Sequence, residues 1–470
     1  MEKREKKINF HLASNDDGLF FWDRVRFSTI QKWILALAIV LAVLPIFVSI
    51  TVKPWLVMIR GREAANFVFF MIAGEYWFSL VYILGAAMGF FLLLGALQKY
   101  KGCRLTCLGQ KKWLLSHWLC INMLLLLIWS FLSYSQAADK ELALWGDYYC
   151  HEGMLLFLFY AVFFLAGSWL NGKQMKITAE ILTAVCAFTG VLVITKGELI
   201  PGLFYMDNNR EVMFHQYNHY GYFLAICAPL AMGLTLQDEK PSILLGMVRT
   251  AELWLIFNAM AVNETRGSFL AVVCVLIFWN FYIFILRKDL IKRLLMLDVL
   301  FVITFAFMNI GSQLLVRFGR LAENFENLAT AENKQEAFDQ VGTLRGMLWR
   351  HGMEFAAEKP LFGYGPGNLE VPYSRVNSET FSPHSDVVLI AASLGFPALY
   401  FYLSGLAGHL VGFFRYVKSM SVFEVTVYAS VAGYLASSLT GVSMFYTAPY
   451  YFLMLGFSYG IYRSHSQKKV

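Results

Sequence analysis

Residues 383–414 read PHSDVVLIAASLGFPALYFYLSGLAGHLVGFF. From Val387 to Phe414 there is no Asp, Glu, Lys or Arg. About 20 apolar residues are enough to cross a hydrocarbon core, so a run of this length belongs in a bilayer. Similar runs recur along all 470 residues, of which 58% are hydrophobic, 17% aromatic and 15% charged. A soluble chain would carry about 25% charged residues. Backbone amides inside lipid must be paired within their own segment, and helices do this directly. The expected fold class is therefore all-α: a polytopic membrane protein with about 12 transmembrane helices.

The spans are expected near 33–52, 76–97, 113–134, 154–170, 177–196, 219–236, 243–262, 268–286, 294–312, 387–414, 422–441 and 447–462. Charge orients them. With the N-terminus inside, 25 of the 39 basic residues fall on the inner side, while about 20 of the 32 acidic residues fall outside. This is the asymmetry that cytoplasmic loops show. Both termini are then cytoplasmic, with an N-terminal segment at 1–32 and a tail at 463–470. The whole of 1–470 forms one integral membrane domain, and no stretch at the N-terminus has the small-residue cleavage site of a signal peptide. The net charge of +7 follows from the loop bias. With no basic, aromatic-interleaved soluble domain, nucleic acid is not an expected partner.

One connection stands apart. Residues 313–385, between spans 9 and 10, form a large extracytoplasmic loop with its own helix. Phe338, Val341, Leu344, Leu348 and Phe355 recur at helical spacing and predict one apolar stripe. That helix should stop before Pro360, because the residue ahead of a proline avoids helical dihedrals. Asn324–Asn333 is polar and reads as a mobile stretch. Long loops of this kind more often carry function than merely connect.

Most charges near membrane depth, such as Glu180, Glu252 and Asp298, sit close to the inner ends of their spans beside Lys176, Arg249 and Arg293. Their expected role is to reach the interface. Of the seven cysteines only Cys150 falls outside, which argues against a disulfide framework. Cys103 and Cys107 lack two further ligands nearby and read as free thiols. His215, His219, His351 and His384 show no spacing that defines a coordination set, so no metal is expected. GYGPGN at 363–368 lacks the Lys-Ser/Thr ending of a nucleotide-phosphate loop and reads as a compact turn.

The outer ends of the spans are more informative. NNREVMFHQYNHYGYF places Arg210 in a loop, with Asn218 and His219 at the mouth of the sixth span. VNETRGSFLA places Arg266 on a short tip, and GTLRGMLW places Arg345 on the loop helix near Trp349. PHSD brings His384 and Ser385 to the tenth span. All lie on one side of the membrane, although they are spread over about 175 residues. A single interfacial arginine usually binds headgroups. Several with a histidine on one rim suit a lipid diphosphate displaced by an alcohol: guanidinium matches phosphate oxygens, and a neutral imidazole accepts a hydroxyl proton.

TRGSFLA, RGMLWRHGMEFAAEKPLFGYGPGN and HSDVVLIAASLGFPALYFYL, in that order, resemble the core of the O-antigen ligase and O-antigen polymerase family. The resemblance covers roughly residues 208–408 and extends to the span count and the late outer loop. It implies a metal-independent, inverting glycosyltransferase that needs no cofactor and sits in the bacterial cytoplasmic membrane, with its active face extracytoplasmic. The implied donor is an undecaprenyl-diphosphate-linked glycan, and the acceptor is a glycan or lipid core. Membrane lipid and glycan-assembly proteins are the expected neighbours. By position, the catalytic set falls on His384, Arg266 and Arg210, with Arg345, Asn218, His219, Trp349 and Ser385 as substrate contacts. Two features depart from the family pattern: Ser385 stands where asparagine usually follows the histidine, and MFHQYN lacks the usual Gly- and Pro-containing form.

Other readings remain open at this stage. A transporter or flippase of lipid-linked glycans should show repeated halves and broken midplane helices, and neither is legible here. A metal-dependent polyprenyl-phosphate glycosyltransferase needs acidic residues in its first outer loop, where 53–75 offers only Glu63 and Glu75. A structural or sensor role without catalysis is the third reading. Ligase and polymerase share donor chemistry, and the sequence does not separate them.

Overall fold

The computed structural model describes residues 25–60, 62–99, 111–147, 151–197, 199, 203–204, 210–214, 216–237, 242–308, 314–376, 378, 382–441 and 444–468. The readings made above for Cys103, Cys107, Cys150, His215 and residues 1–24 lie outside these.

In chain order the helices are α1 Phe27–Arg60, α2 Arg62–Lys99, α3 Lys111–Ser116, α4 Trp118–Gln136, α5 Lys140–Trp145, α6 Met154–Trp169 and α7 Gly172–Ile194. There follow α8 Tyr217–Leu236, α9 Ile243–Asn263, α10 Arg266–Leu286, α11 Ile291–Met308, α12 Leu314–Thr330, α13 Lys334–Asp339 and α14 Val341–Glu358. The last are α15 Glu370–Arg375, α16 Asp386–Leu394, α17 Phe396–Tyr416, α18 Val422–Ser438 and α19 Ala448–Lys468. No strand occurs among the described residues. The protein is an all-α polytopic membrane protein: eight helices among the described residues are long and apolar enough to cross a bilayer. The other four expected spans are occupied by α6, α11, α18 and α19.

Helix α8 is the axis of the bundle. Every residue from Asn218 to Leu236 is buried, so protein surrounds it on all sides. Helices α7, α9, α10 and α18 pack around it. Lipid chains are as apolar as leucine, so close packing rather than water exclusion holds such helices together, and small residues permit it. A Cβ on Gly233 would lie 1.8 Å from Thr426 Oγ1, and one on Gly433 2.5 Å from the Ala225 carbonyl. Ser268 and Ser437 share a hydrogen bond of 2.9 Å between α10 and α18. At the far end of the bundle Arg249 pairs with Glu180 at 3.2 Å, whereas Asp298 accepts from Asn280 at 3.1 Å and Arg293 donates to the Gln237 carbonyl.

The structure departs from the sequence reading in three places. The expected loop at 53–75 is almost wholly helical, because α1 runs on to Arg60 and α2 begins at Arg62. Charges at Lys53, Arg60 and Glu63 end a hydropathic span, but they do not end a helix. The tenth span is two helices, α16 and α17, divided at Gly395 with φ 88° and ψ 168°. Within Asn324–Asn333, α12 continues to Thr330, and Asn333 caps α13 by accepting from the Glu336 N–H at 3.2 Å. The single apolar stripe is broken, with Phe338 on α13 and Leu344 in a left-handed turn, 45% exposed. At the C-terminus α19 runs on to Lys468, into the stretch expected as the tail at 463–470.

Candidate active site

The glycine cluster anchors the far end of the helix that follows His384. The N–H groups of Tyr364 and Gly365 donate to the carbonyls of Ala392 and Ser393, at 2.9 and 2.8 Å, while Phe396 N–H donates to the Pro360 carbonyl at 2.9 Å. The last turn of a helix leaves carbonyls without partners, and these bonds satisfy those of α16. The approach is possible only without side chains, since a Cβ on Gly363 would sit 2.4 Å from the Ser393 carbonyl carbon. The Ser133 hydroxyl of α4 lies within hydrogen-bonding distance of both the Phe362 and Ser393 carbonyls, at 2.5 and 3.0 Å, and shares its one proton between them. Helix α16 is thereby fixed at its C-terminal end. Its N-terminal end carries Asp386, favourably placed against the helix dipole, and is preceded by Ser385 and His384.

A cavity of about 1060 Å³ opens where this end of α16 meets the α9–α10 tip, the start of α8 and the loop helices. Arg266, Arg345, His384 and Asn218 all line it. Thus four of the eight residues singled out from the sequence share one space. Arg320 of α12, Thr343, Glu264 and Gln340 also line it and were missed. Arg320 lies on an amphipathic helix inside a loop of uncertain path, and nothing in its sequence context distinguishes it from a solvated charge.

The other four stand behind the wall. Trp349 donates its indole N–H to the main-chain carbonyl of His384 at 3.4 Å. Ser385 is buried as the N-cap of α16. His219 is buried and stacks on Tyr446 with ring centroids 5.0 Å apart. Arg210 stacks on Tyr217 at 4.5 Å, lies 3.6 Å from the Glu264 carboxylate and donates to the Asn263 carbonyl at 3.3 Å. Asn263 returns the contact with its side-chain amide, donating to the carbonyls of Arg210 and Tyr217 at 2.7 and 2.8 Å. Arg210 therefore compensates Glu264, a carboxylate on the cavity wall, and ties the Arg266 tip to α8.

Backbone strain is concentrated here. Seven non-glycine residues have left-handed φ among the described residues, and four of them line the cavity: Glu264 (56°), Thr343 (67°), Leu344 (66°) and His384 (49°). Each such residue costs on the order of 1–3 kcal/mol, and strain of this kind gathers at functional sites. Burial, and then the charge of Arg345, push the His384 imidazole from its ordinary 6.5 down to about 4. The ring is thus neutral at physiological pH. Among the described residues no group of three or more His, Cys, Asp or Glu side chains could hold a metal ion. The nearest carboxylate to His351 belongs to Glu354, 2.9 Å away, in a pair on one face of α14.

Residues 251–403 match the family model described as O-antigen ligase. The matched segment holds the α9–α10 tip, the loop helices and α16, hence Arg266, Arg345 and His384. No curated protein matches the chain.

Proposed function

From the O-antigen ligase family domain carried at residues 251–403, we propose that this membrane enzyme transfers a glycan from an undecaprenyl-diphosphate carrier to an acceptor hydroxyl on the extracytoplasmic face of the bacterial cytoplasmic membrane. The observation that supports it most is the convergence of Arg266, Arg345 and His384 on one cavity, large enough for sugars together with a diphosphate.

In this reading the acceptor hydroxyl gives its proton to the neutral His384 ring as its oxygen attacks the anomeric carbon. The bond from that carbon to the phosphate oxygen breaks on the opposite face, which inverts the centre. The electron pair leaves with the diphosphate, whose growing charge falls to Arg266, with Arg345 close by. The proton then passes from His384 to solvent. No metal step is needed, because guanidinium groups meet the leaving charge. Arg210 acts from the second row, by balancing Glu264 and fixing the tip that carries Arg266.

Burial is the larger depressant of the His384 base, and Arg345 adds to it. An imidazole held near 4 is a weak base. A bound diphosphate offsets the Arg345 field, so the pKa rises only once the donor is seated. The enzyme is thereby protected from activating water in an empty site.

The test uses purified protein in lipid with an undecaprenyl-diphosphate oligosaccharide and an acceptor. His384→Ala and Arg266→Ala should each abolish most transfer, and chelator should leave the parent unchanged. Transfer at the parental rate by both variants, or loss with chelator and recovery with divalent metal, overturns the reading. Whether the acceptor is a lipid core or a second carrier-linked repeat is read from a deletion strain. Full-length chains stranded on the carrier indicate a ligase, and single repeats on finished lipid indicate a polymerase.

A further inference from the structure

Three consecutive residues before the right-handed part of α14 have left-handed dihedrals: Gly342 (66°, 30°), Thr343 (67°, 59°) and Leu344 (66°, 9°). Glycine accepts this region freely, but a β-branched threonine does not. Neither Thr343 nor Leu344 recovers the cost by burial, since both are exposed. The strain is imposed from outside. On one side, a Cβ on Gly346 would stand 1.8 Å from the Phe338 carbonyl, so α14 starts hard against the end of α13. Arg350 then bolts the two helices together, with Nε and Nη2 donating to the two Asp339 carboxylate oxygens at 2.8 and 2.7 Å. Asn324 of α12 holds the Gln340 carbonyl at 3.4 Å.

The turn places one group where no right-handed helix start would put it. The Thr343 hydroxyl accepts from Arg266 Nη2 at 3.2 Å, bridging the loop helix to the α9–α10 tip across 77 residues of sequence. The next residue but one, Arg345, lines the same cavity. We propose that Thr343 is a positioning residue for Arg266: the left-handed turn presents its hydroxyl to the guanidinium and helps hold it in the rotamer that faces an isoprenyl diphosphate. Arginine has a long unbranched stem and five donors. A fixed acceptor at the end of such a stem favours one rotamer over the others. This inference rests on Arg266 as a diphosphate ligand, but not on glycan transfer.

The experiment measures binding of farnesyl diphosphate to the full-length protein in lipid nanodiscs, by calorimetry. Thr343→Val keeps the shape and the strain but loses the hydroxyl, and should weaken binding roughly tenfold, as expected for a hydrogen bond to a charged group. Thr343→Ser should recover most of the affinity. Thr343→Gly relaxes the turn and should still bind weakly, which separates orientation from folding. In an Arg266→Ala background, Thr343→Val should cause no further loss, because the hydroxyl acts through that guanidinium. Parental affinity for Thr343→Val, an equal additional loss in the Arg266→Ala background, or no binding of farnesyl diphosphate by the parent overturns the proposal. If the expected pattern appears while the parent transfers no glycan, the positioning role stands and the glycosyltransferase reading falls.

Discussion

The indole N–H of Trp349 reaches the main-chain carbonyl of His384 over 3.4 Å, so helix α14 holds the candidate base by its backbone and leaves the imidazole free. His384 has left-handed φ, which an untied loop would tend to relax. Trp349→Phe keeps the aromatic body and removes the donor. A neutral hydrogen bond is worth about 0.5–1.5 kcal/mol net, so transfer should fall about threefold to tenfold. The loss should appear in kcat with little change in donor KM, measured by steady-state kinetics. A change confined to KM would place Trp349 on the substrate instead.

The pH dependence follows from the direction of the His384 shift. Its pKa is lowered to about 4 by burial and by Arg345, so the free enzyme carries a neutral base at any pH above that value. Acid loss of kcat/KM, which reports the free enzyme, should therefore occur near pH 4 and not near 6.5. With donor bound, the diphosphate offsets Arg345, so the acid limb of kcat should lie at higher pH. Arg345→Gln removes the cationic contribution and should move the kcat/KM limb upward, leaving burial as the remaining depressant. Coincident limbs in the parent would refute the donor-linked rise in basicity.

Arg266 and Arg210 should fail in different ways. Arg266 lines the cavity, whereas Arg210 is engaged by Asn263, Glu264 and Tyr217. Arg266→Ala should cost on the order of 100-fold or more in kcat, the scale of losing one donor to a developing anion, with an unchanged Tm. Arg210→Ala removes an ion pair from the largely buried Glu264 carboxylate and the side-chain donation to the Asn263 carbonyl, which loosens the tip. It should lower Tm as well as activity, with a smaller loss in kcat. Thermal unfolding in detergent beside kinetics in lipid distinguishes the two patterns.

Much of the fold was legible because bilayer solvation is written in composition: uncharged runs of span length have few other uses. What hydropathy could not show is backbone conformation. The run through Gly395 has the composition of one span, yet its ε-region dihedrals divide it into α16 and α17. The same blindness produced a single stripe through Leu344, because a period of 3.6 is preserved by residues that are not helical at all. At the site, Arg266, Arg345, His384 and Asn218 could be singled out by residue type and by the side of the membrane expected for them. Thr343 and Arg320 could not, because only the loop's folded path brings them to the cavity. Nor could the sequence set Arg210 behind Arg266, since that depends on which of them the fold brings to the cavity.

Gly395 is a position where a single methyl group should do clear damage. Its φ of 88° and ψ of 168° lie in a region open essentially to glycine alone, and a Cβ would stand 2.2 Å from the Leu361 carbonyl oxygen. Gly395→Ala therefore combines backbone strain of roughly 1–3 kcal/mol with a collision against main chain that cannot rotate away. The bond from Phe396 N–H to the Pro360 carbonyl should be lost, and with it the seat of the glycine cluster on α16. Tm should fall by several degrees, and His384, at the other end of α16, should lose its fixed position. Gly172→Ala serves as the comparison, because nothing lies within 4 Å of a Cβ there. Its Tm should stay within a degree of the parent. Equal stability for the two variants would mean that the break at Gly395 is not required for folding.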